Sequence, residues 1–127
     1  MSPKDFGVFE DISSIVDMQN VFDTYEDYPL DFCDVIKVFE FYFNEYESRV
    51  GMRHPKLNLK AMHQILEVLP FIYDSNLDKE IPLLVDDYRQ IIKMHFSTEY
   101  RFTDYNILHF FSGRIRLLRF YELQNRS

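Results

Sequence analysis

The stretch DFCDVIKVFEFYFNEYESRVG, residues 31–51, decides the fold. Asp31 suits the N-cap of a helix, and Gly51 stands where a left-handed C-cap belongs. Between them, apolar residues recur at intervals of three and four, the spacing of one helix face, namely Phe32, Val35, Ile36, Phe39, Tyr42, Phe43, Tyr46 and Val50. Val38 and Phe41 add apolar area outside that face. The stretch therefore predicts a central helix that is covered on more than one side.

Three further helices are predicted after this one. Asn58 is placed to cap the second helix, and Pro70 should end or kink it because proline lacks the N–H donor. Pro82 fits the first turn of the third helix, and Thr103 or Asp104 is expected to cap the last. Their predicted core faces are, in order, Leu59, Met62, Ile65, Leu66 and Leu69; Leu84, Val85, Tyr88, Ile91, Ile92 and Phe96; and Ile107, Leu108, Phe111, Ile115 and Leu118.

The connections and the amino-terminal segment complete the predicted architecture. Residues 71–73 should fold back onto the core, and residues 74–76 should form a loop. In residues 1–29, either a short helix capped by Asp11 or Ser13 forms, or residues 6–9 lie extended against the body; the apolar side of that helix would be Val8, Ile12, Ile15 and Phe22. The sequence thus predicts an all-α, single compact domain spanning 1–127, with four to five helices in an orthogonal or bundle-like arrangement, an amino-terminal segment over 1–29 and a helical core over 30–127.

Composition supports a folded, soluble domain. The chain has 127 residues, 46% of them hydrophobic and 28% charged, with only three glycines and five prolines. Thirteen Phe and nine Tyr supply large apolar area for the core. Cys33, the single cysteine, excludes an internal disulfide and a multi-cysteine metal site, and it is expected to be an inert small hydrophobe. The absence of a signal-like amino terminus and of a long apolar run predicts a cytoplasmic location without a membrane partner.

The sequence contains no motif that commits the chain to a reaction. None of the four histidines pairs with another at helical spacing, and His63 and Glu67, four residues apart, are more typical of an exposed helix pair than of a metal site. With three glycines there is no loop that could cradle a phosphate. We therefore predict no catalytic residue, no metal, no cofactor and no enzymatic activity, although two carboxylates brought together from separate helices would form an alternative catalytic site.

The first unusual feature is an uneven charge. Residues 1–50 contain 12 acids against 3 bases, whereas residues 51–127 contain 9 acids against 11 bases. Between Asp23 and Asp34 there are five acids and no base, with aromatic residues among them, so the predicted partner-binding patch is Asp23, Tyr25, Glu26, Asp27, Tyr28, Asp31 and Asp34. Such a surface attracts a basic partner, and aromatic residues within it favour a binding hot spot. The alternative is a surface that only keeps an aromatic-rich protein soluble.

The second feature lies in the predicted last helix. Opposite its core face, residues with spacings of four, three, four and three should align along one side, namely Tyr105, His109, Ser112, Arg116 and Arg119. Arg114 adds positive charge nearby, as do Arg101 and Arg126, and arginine suits phosphate or carboxylate recognition. Alternatively, these arginines neutralise the acidic half of the molecule and complement the helix carboxyl terminus.

Two segments carry a resemblance to a known family. DDYRQIIKMHF, residues 86–96, contains an isoleucine pair and precedes the aromatic segment TDYNILHFFSGRIRLLRFYE, residues 103–122. In spacing, this order resembles the carboxy-terminal helical modules of DnaD-like phage replication proteins. The resemblance covers about the last half of the chain and includes no diagnostic motif, and the surplus of bases that such modules carry is only slight here. It implies a replication-associated or mobile-element role without identifying the chain.

These observations predict a small acidic interaction protein, a regulator or inhibitor that binds a basic protein, with a nucleic-acid-handling protein as one candidate for that partner. The second hypothesis is a phage or mobile-element accessory module that binds nucleic acid through the basic face Tyr105, His109, Ser112, Arg114, Arg116 and Arg119. The sequence does not indicate an oligomeric state.

Overall fold

A computed structural model of the chain describes residues 12–97, 105–112 and 114–126. Within these ranges six helices surround one hydrophobic core, and the only strands form a small hairpin, which confirms the all-α fold class. In chain order the elements are α1 (Ile12–Phe22), α2 (Phe32–Val50), α3 (Leu59–Val68), β1 (Phe71–Asp74), β2 (Lys79–Pro82), α4 (Val85–Ser97), α5 (Ile107–Phe111) and α6 (Ile115–Arg126). None of the helices among the described residues is both long and apolar enough to cross a membrane.

Helix α2, which the sequence predicts as the central helix, is the longest described helix and has seven buried residues. Its inner side packs against α4, and Phe39 and Tyr42 are fully buried together with Val38, which lies outside the predicted stripe. Gly51 ends the helix with φ of 80°, a left-handed conformation that glycine adopts without steric cost. Asp31 has the extended backbone of an N-cap, but its side chain makes no capping hydrogen bond. The start of α2 is therefore stabilised mainly by the burial of its apolar face.

Helix α3 begins and ends at the predicted residues. The Asn58 side chain accepts a hydrogen bond of 2.8 Å from the Ala61 amide, and the helix stops two residues before Pro70. Met62, Ile65, Leu66 and Leu69 are buried, whereas Leu59 is exposed. Helix α3 packs against α1 and α5.

The segment after α3 is a hairpin, which the sequence analysis did not predict. Strand β1 pairs antiparallel with β2, so that Phe71 lies opposite Pro82 and Tyr73 opposite Glu80. Pro82 therefore ends a strand, and the prediction that it starts the third helix is wrong. Helix α4 starts at Val85 instead, where the Asp87 side chain accepts a hydrogen bond of 2.8 Å from the Leu84 amide. The Asp87 carboxylate thus satisfies an amide at the start of α4, so this helix start does not need a proline.

The prediction of one continuous last helix is also wrong. Asn106 caps α5 by accepting a hydrogen bond from the Leu108 amide, while Thr103 and Asp104 lie outside the described residues. The backbone of Ser112 is extended (φ −95°, ψ 155°), which interrupts the helical ladder before α6 begins. The break changes the rotational register, so that Leu117 is buried and the predicted core residue Leu118 is 44% exposed.

Two further predictions concern single segments. The alternative of a helix near the amino terminus is confirmed from Ile12 onward, whereas the extended arrangement of residues 6–9 lies outside the described residues. Cys33 is exposed, so its side chain does not fill the core as expected. It occupies the solvent side of the first turn of α2, whose inner side is formed by Val35 and Ile36.

Candidate functional site

The acidic loop, residues 23–34, connects α1 to the first turn of α2. Asp23, Glu26, Asp27 and Asp31 are exposed, and Asp34 is half-buried. No ion pair between described residues involves any of these five carboxylates; the Asp23 carboxylate accepts one hydrogen bond, from the Gln19 side chain. The loop therefore presents its negative charge to solvent.

Two tyrosines fasten the acidic loop to α3. The Tyr28 hydroxyl donates a hydrogen bond of 2.7 Å to the Leu66 carbonyl, and the Tyr25 hydroxyl donates one of 3.1 Å to the His63 carbonyl. Burial raises the pKa of Tyr28 well above its ordinary value, so this hydroxyl keeps its proton. The two rings also meet edge to face, with centroids 5.4 Å apart. These two side chains thus hold the loop against α3. That Tyr25 and Tyr28 also contact a partner directly stays a prediction.

The backbone of the loop is fixed as well. Amides at its start continue the hydrogen bonding of α1, with Asp23 donating to the Gln19 carbonyl over 2.9 Å. Leu30 is buried in the core. Asp27 adopts a φ of 53°, in the left-handed region that Asp and Asn tolerate better than most residues. The loop therefore has defined anchoring points on either side of its exposed acids.

The structure contradicts the predicted basic face of the carboxyl-terminal segment. Because the helix breaks at Ser112, the residues of that face do not share one side of one helix. Tyr105, Arg116 and Arg119 are buried, whereas His109, Ser112 and Arg114 are exposed. The predicted alignment is wrong because it assumes helical spacing through Ser112, whose backbone is extended.

Arg116 lies in the interior and satisfies groups at the end of α3. Its Nη1 donates to the carbonyls of Val68 and Phe71, each over 3.0 Å, and to the Tyr88 hydroxyl over 2.8 Å. Tyr88 in turn donates to the Leu69 carbonyl. The last carbonyls of a helix have no partner within the helix, and a cation there also complements the helix dipole. Arg116 thus acts as a long-range cap of α3.

Arg119 belongs to a second interior cluster. Its Nε lies 3.3 Å from Nδ1 of His95, and its Nη1 forms an ion pair with Glu122. His95 is 1% exposed, and its ring lies among those of Tyr42, Phe96, Tyr105 and Phe110. Burial, followed by the charges of Arg119 and His109, lowers the pKa of His95 to about 4, so the imidazole is neutral at pH 7. A neutral Nδ1 can accept the proton that Arg119 offers.

The acidic loop therefore forms no ion pair with the described arginines of the carboxyl-terminal segment, so the alternative that these two charged regions neutralise each other is wrong. The groups that contact Arg116 come from α3, β1, α4 and α5, and none is a carboxylate of the acidic loop.

The residues His63 and Glu67 are both exposed, and the described residues include no group of three or more His, Cys, Asp or Glu side chains placed to hold a metal ion.

Sequence reasoning missed the polar interactions at the hairpin. Asp74 is fully buried, and its carboxylate accepts hydrogen bonds from the amides of Asn76 and Leu77 and from the Tyr121 hydroxyl. These bonds, the one from Tyr121 above all, hold the pKa of Asp74 below its ordinary value. The sequence Asp-Ser-Asn signals the turn, but nothing local indicates a partner 47 residues away.

Comparisons with protein-family models, with curated proteins and with solved structures found no match to this chain.

Proposed function

We propose that the chain is a non-enzymatic interaction protein, a regulator or inhibitor, and that its acidic loop binds a basic protein surface. The observation that carries the proposal is the exposure of Asp23, Glu26, Asp27 and Asp31 without an ion pair to any described residue. Carboxylates that are already hydrated and unpaired can meet a cationic partner without first breaking internal ion pairs.

The anchoring of the loop supports the same proposal. Binding costs less when the contact groups are already ordered, because less conformational entropy is lost. Tyr25 and Tyr28 bond to carbonyls of α3, and Leu30 is buried, so the exposed acids extend from a segment that is held at several points. The loop then offers a fixed pattern of charge rather than a mobile acidic tail.

The charge of the loop predicts which variants lose the partner. In the loop variant, Asp23→Lys and Glu26→Lys reverse two charges, and Asp27→Asn removes one while keeping a residue that tolerates the left-handed backbone. We expect recovery of a basic protein from a lysate of the source cells to be abolished, because attraction becomes repulsion. Affinity capture with quantitative mass spectrometry measures this recovery.

The matched control variant changes the total charge equally at exposed acids elsewhere, through Glu47→Lys, Asp86→Lys and Glu80→Gln. It should still retain the partner, and raising the salt from about 0.15 M to about 1 M should release the partner from the wild-type protein, as the Debye length shrinks. Thermal unfolding should show all three proteins folded. Equal recovery by the loop variant and the wild-type protein would reject the proposal.

A further inference from the structure

A groove separate from the acidic loop lies where the end of α3, the hairpin and the α5–α6 junction meet. Its volume is about 490 Å³, within the range of small-molecule sites. The side chains that matter for its chemistry are Phe71, Tyr73, Phe111, Arg114 and Arg116, together with two acids at its rim.

Arg116 provides a buried cation on the wall of this groove. The residue is only 7% exposed, and all three of its hydrogen bonds to described residues leave from Nη1. Its Nε and Nη2 have no acceptor among the described residues, and no carboxylate forms an ion pair with it there. A guanidinium offers five N–H donors in one plane. One edge of the Arg116 guanidinium is therefore satisfied by the fold, and the other is available to a planar acceptor.

Arg114 adds a second cation from the exposed side of the groove. The buried Asp74 carboxylate accepts from Asn76, Leu77 and Tyr121 and forms no ion pair with Arg114, although the Arg114 charge helps to lower the pKa of Asp74. Two arginines, one buried and held by hydrogen bonds and the other exposed, are a combination that recognises carboxylates through charge-assisted hydrogen bonds.

Aromatic and aliphatic side chains form most of the rest of the groove. Phe71 and Tyr73 are 37% and 57% exposed, and the guanidinium carbon of Arg116 lies 5.2 Å from the centroid of the buried Phe111 ring. Such surfaces take up a flat aromatic group by stacking and by excluding water. A ligand that suits the groove therefore combines a carboxylate with an aromatic body.

The two acids at the rim, Glu67 and Glu80, restrict the charge of the ligand. They are exposed, and each would repel a second negative charge on a bound anion. The two glutamates therefore oppose a doubly charged phosphate more strongly than a singly charged carboxylate. We propose that this groove is a binding site for a small aromatic monocarboxylate held by Arg116 and Arg114. The site is independent of the proposed protein-binding role of the acidic loop.

The test uses 2-naphthoate as the probe, with 2-naphthamide and inorganic phosphate as comparison ligands. For 2-naphthoate we expect a Kd of about 1 mM, which is typical of a ligand of this size. The amide, which lacks the charge, and phosphate, which lacks the ring, should each bind roughly tenfold more weakly. Nuclear magnetic resonance titration follows the backbone amides of Phe71 and Tyr73 and the side-chain Nε–H of Arg116, so the role of Arg116 is tested without replacing it.

The matched variants are Arg114→Gln and Arg89→Gln, each of which removes one exposed arginine, the second outside the groove. Arg114→Gln should weaken 2-naphthoate binding roughly tenfold, and Arg89→Gln should leave it unchanged. The proposal is overturned if the Arg116 Nε–H resonance does not move, if both variants bind equally, or if the amide or phosphate binds as tightly as 2-naphthoate. None of these outcomes bears on the acidic loop.

Discussion

Replacing Arg116 with methionine is expected to lower the free energy of unfolding by about 3 to 5 kcal/mol. The methionine preserves much of the apolar stem but leaves the carbonyls of Val68 and Phe71 and the Tyr88 hydroxyl without their donor in the interior. Each buried polar group that loses its partner costs roughly 1 to 3 kcal/mol. Urea denaturation followed by circular dichroism at pH 7 measures the change, provided that the transition remains two-state.

The control for this prediction is Arg114→Met, which removes the same charge two residues away from an exposed position. Because the Arg114 side chain makes no hydrogen bond or ion pair to a described residue, we expect a change within about 0.5 kcal/mol. Similar losses in both variants would mean that net charge, rather than the capping of α3, explains the effect of Arg116.

The stability of the protein should fall by about 3 kcal/mol as the pH drops from 6.5 to 4 because of His95 alone. The folded state holds the pKa of His95 at about 4, below its ordinary value of 6.5. Between these values the unfolded chain takes up a proton that the folded protein does not, so stability is present above pH 6.5 and is lost on acidification. One pKa unit corresponds to about 1.4 kcal/mol, which sets the size of the effect.

The pH effect is measured as the difference between the wild-type protein and His95→Gln, from urea denaturation at several pH values. His95→Gln should show a flatter profile between pH 4 and 6.5, whereas His63→Gln, at an exposed position, should match the wild-type profile. Glu40, whose pKa is raised by burial, contributes a slope of opposite sign, but it is common to all three proteins. Identical profiles for wild type and His95→Gln would show that His95 is not held neutral by the fold.

The helices that the sequence predicted correctly are those with local signals at each end. Helix α3 has Asn58 before it and Pro70 after it, and α2 combines a long apolar stripe with Gly51. The hairpin was missed because its strands have four residues each, too few for an alternating pattern to be distinguished from a loop. Its register arises from pairing and from the contact of β1 with α6, neither of which is visible in local sequence.

For the carboxyl-terminal arginines, the sequence predicted a regular face that the structure does not contain. Helical spacing continues through Ser112 in the sequence, so a periodic pattern predicts one face where the backbone makes two helices. An arginine is expected at the surface from its residue type, yet the Arg116 side chain donates a hydrogen bond to the Val68 carbonyl, 48 residues away in the chain. The acidic loop was more predictable, because five acids without a base indicate an exposed segment. That Tyr25 and Tyr28 bond to α3 depends on a long-range contact that their spacing does not reveal.

The central claim, that the acids of the loop are open to solvent until a partner covers them, is tested most directly by chemical labelling of carboxylates. Carbodiimide coupling to an amine, read out residue by residue by mass spectrometry, compares the free protein with the captured complex. We predict that Asp23, Glu26, Asp27 and Asp31 react readily in the free protein and are strongly protected in the complex, while Glu47 and Asp86 react equally in both. Slow labelling of the loop in the free protein, or unchanged labelling in the complex, would contradict the account.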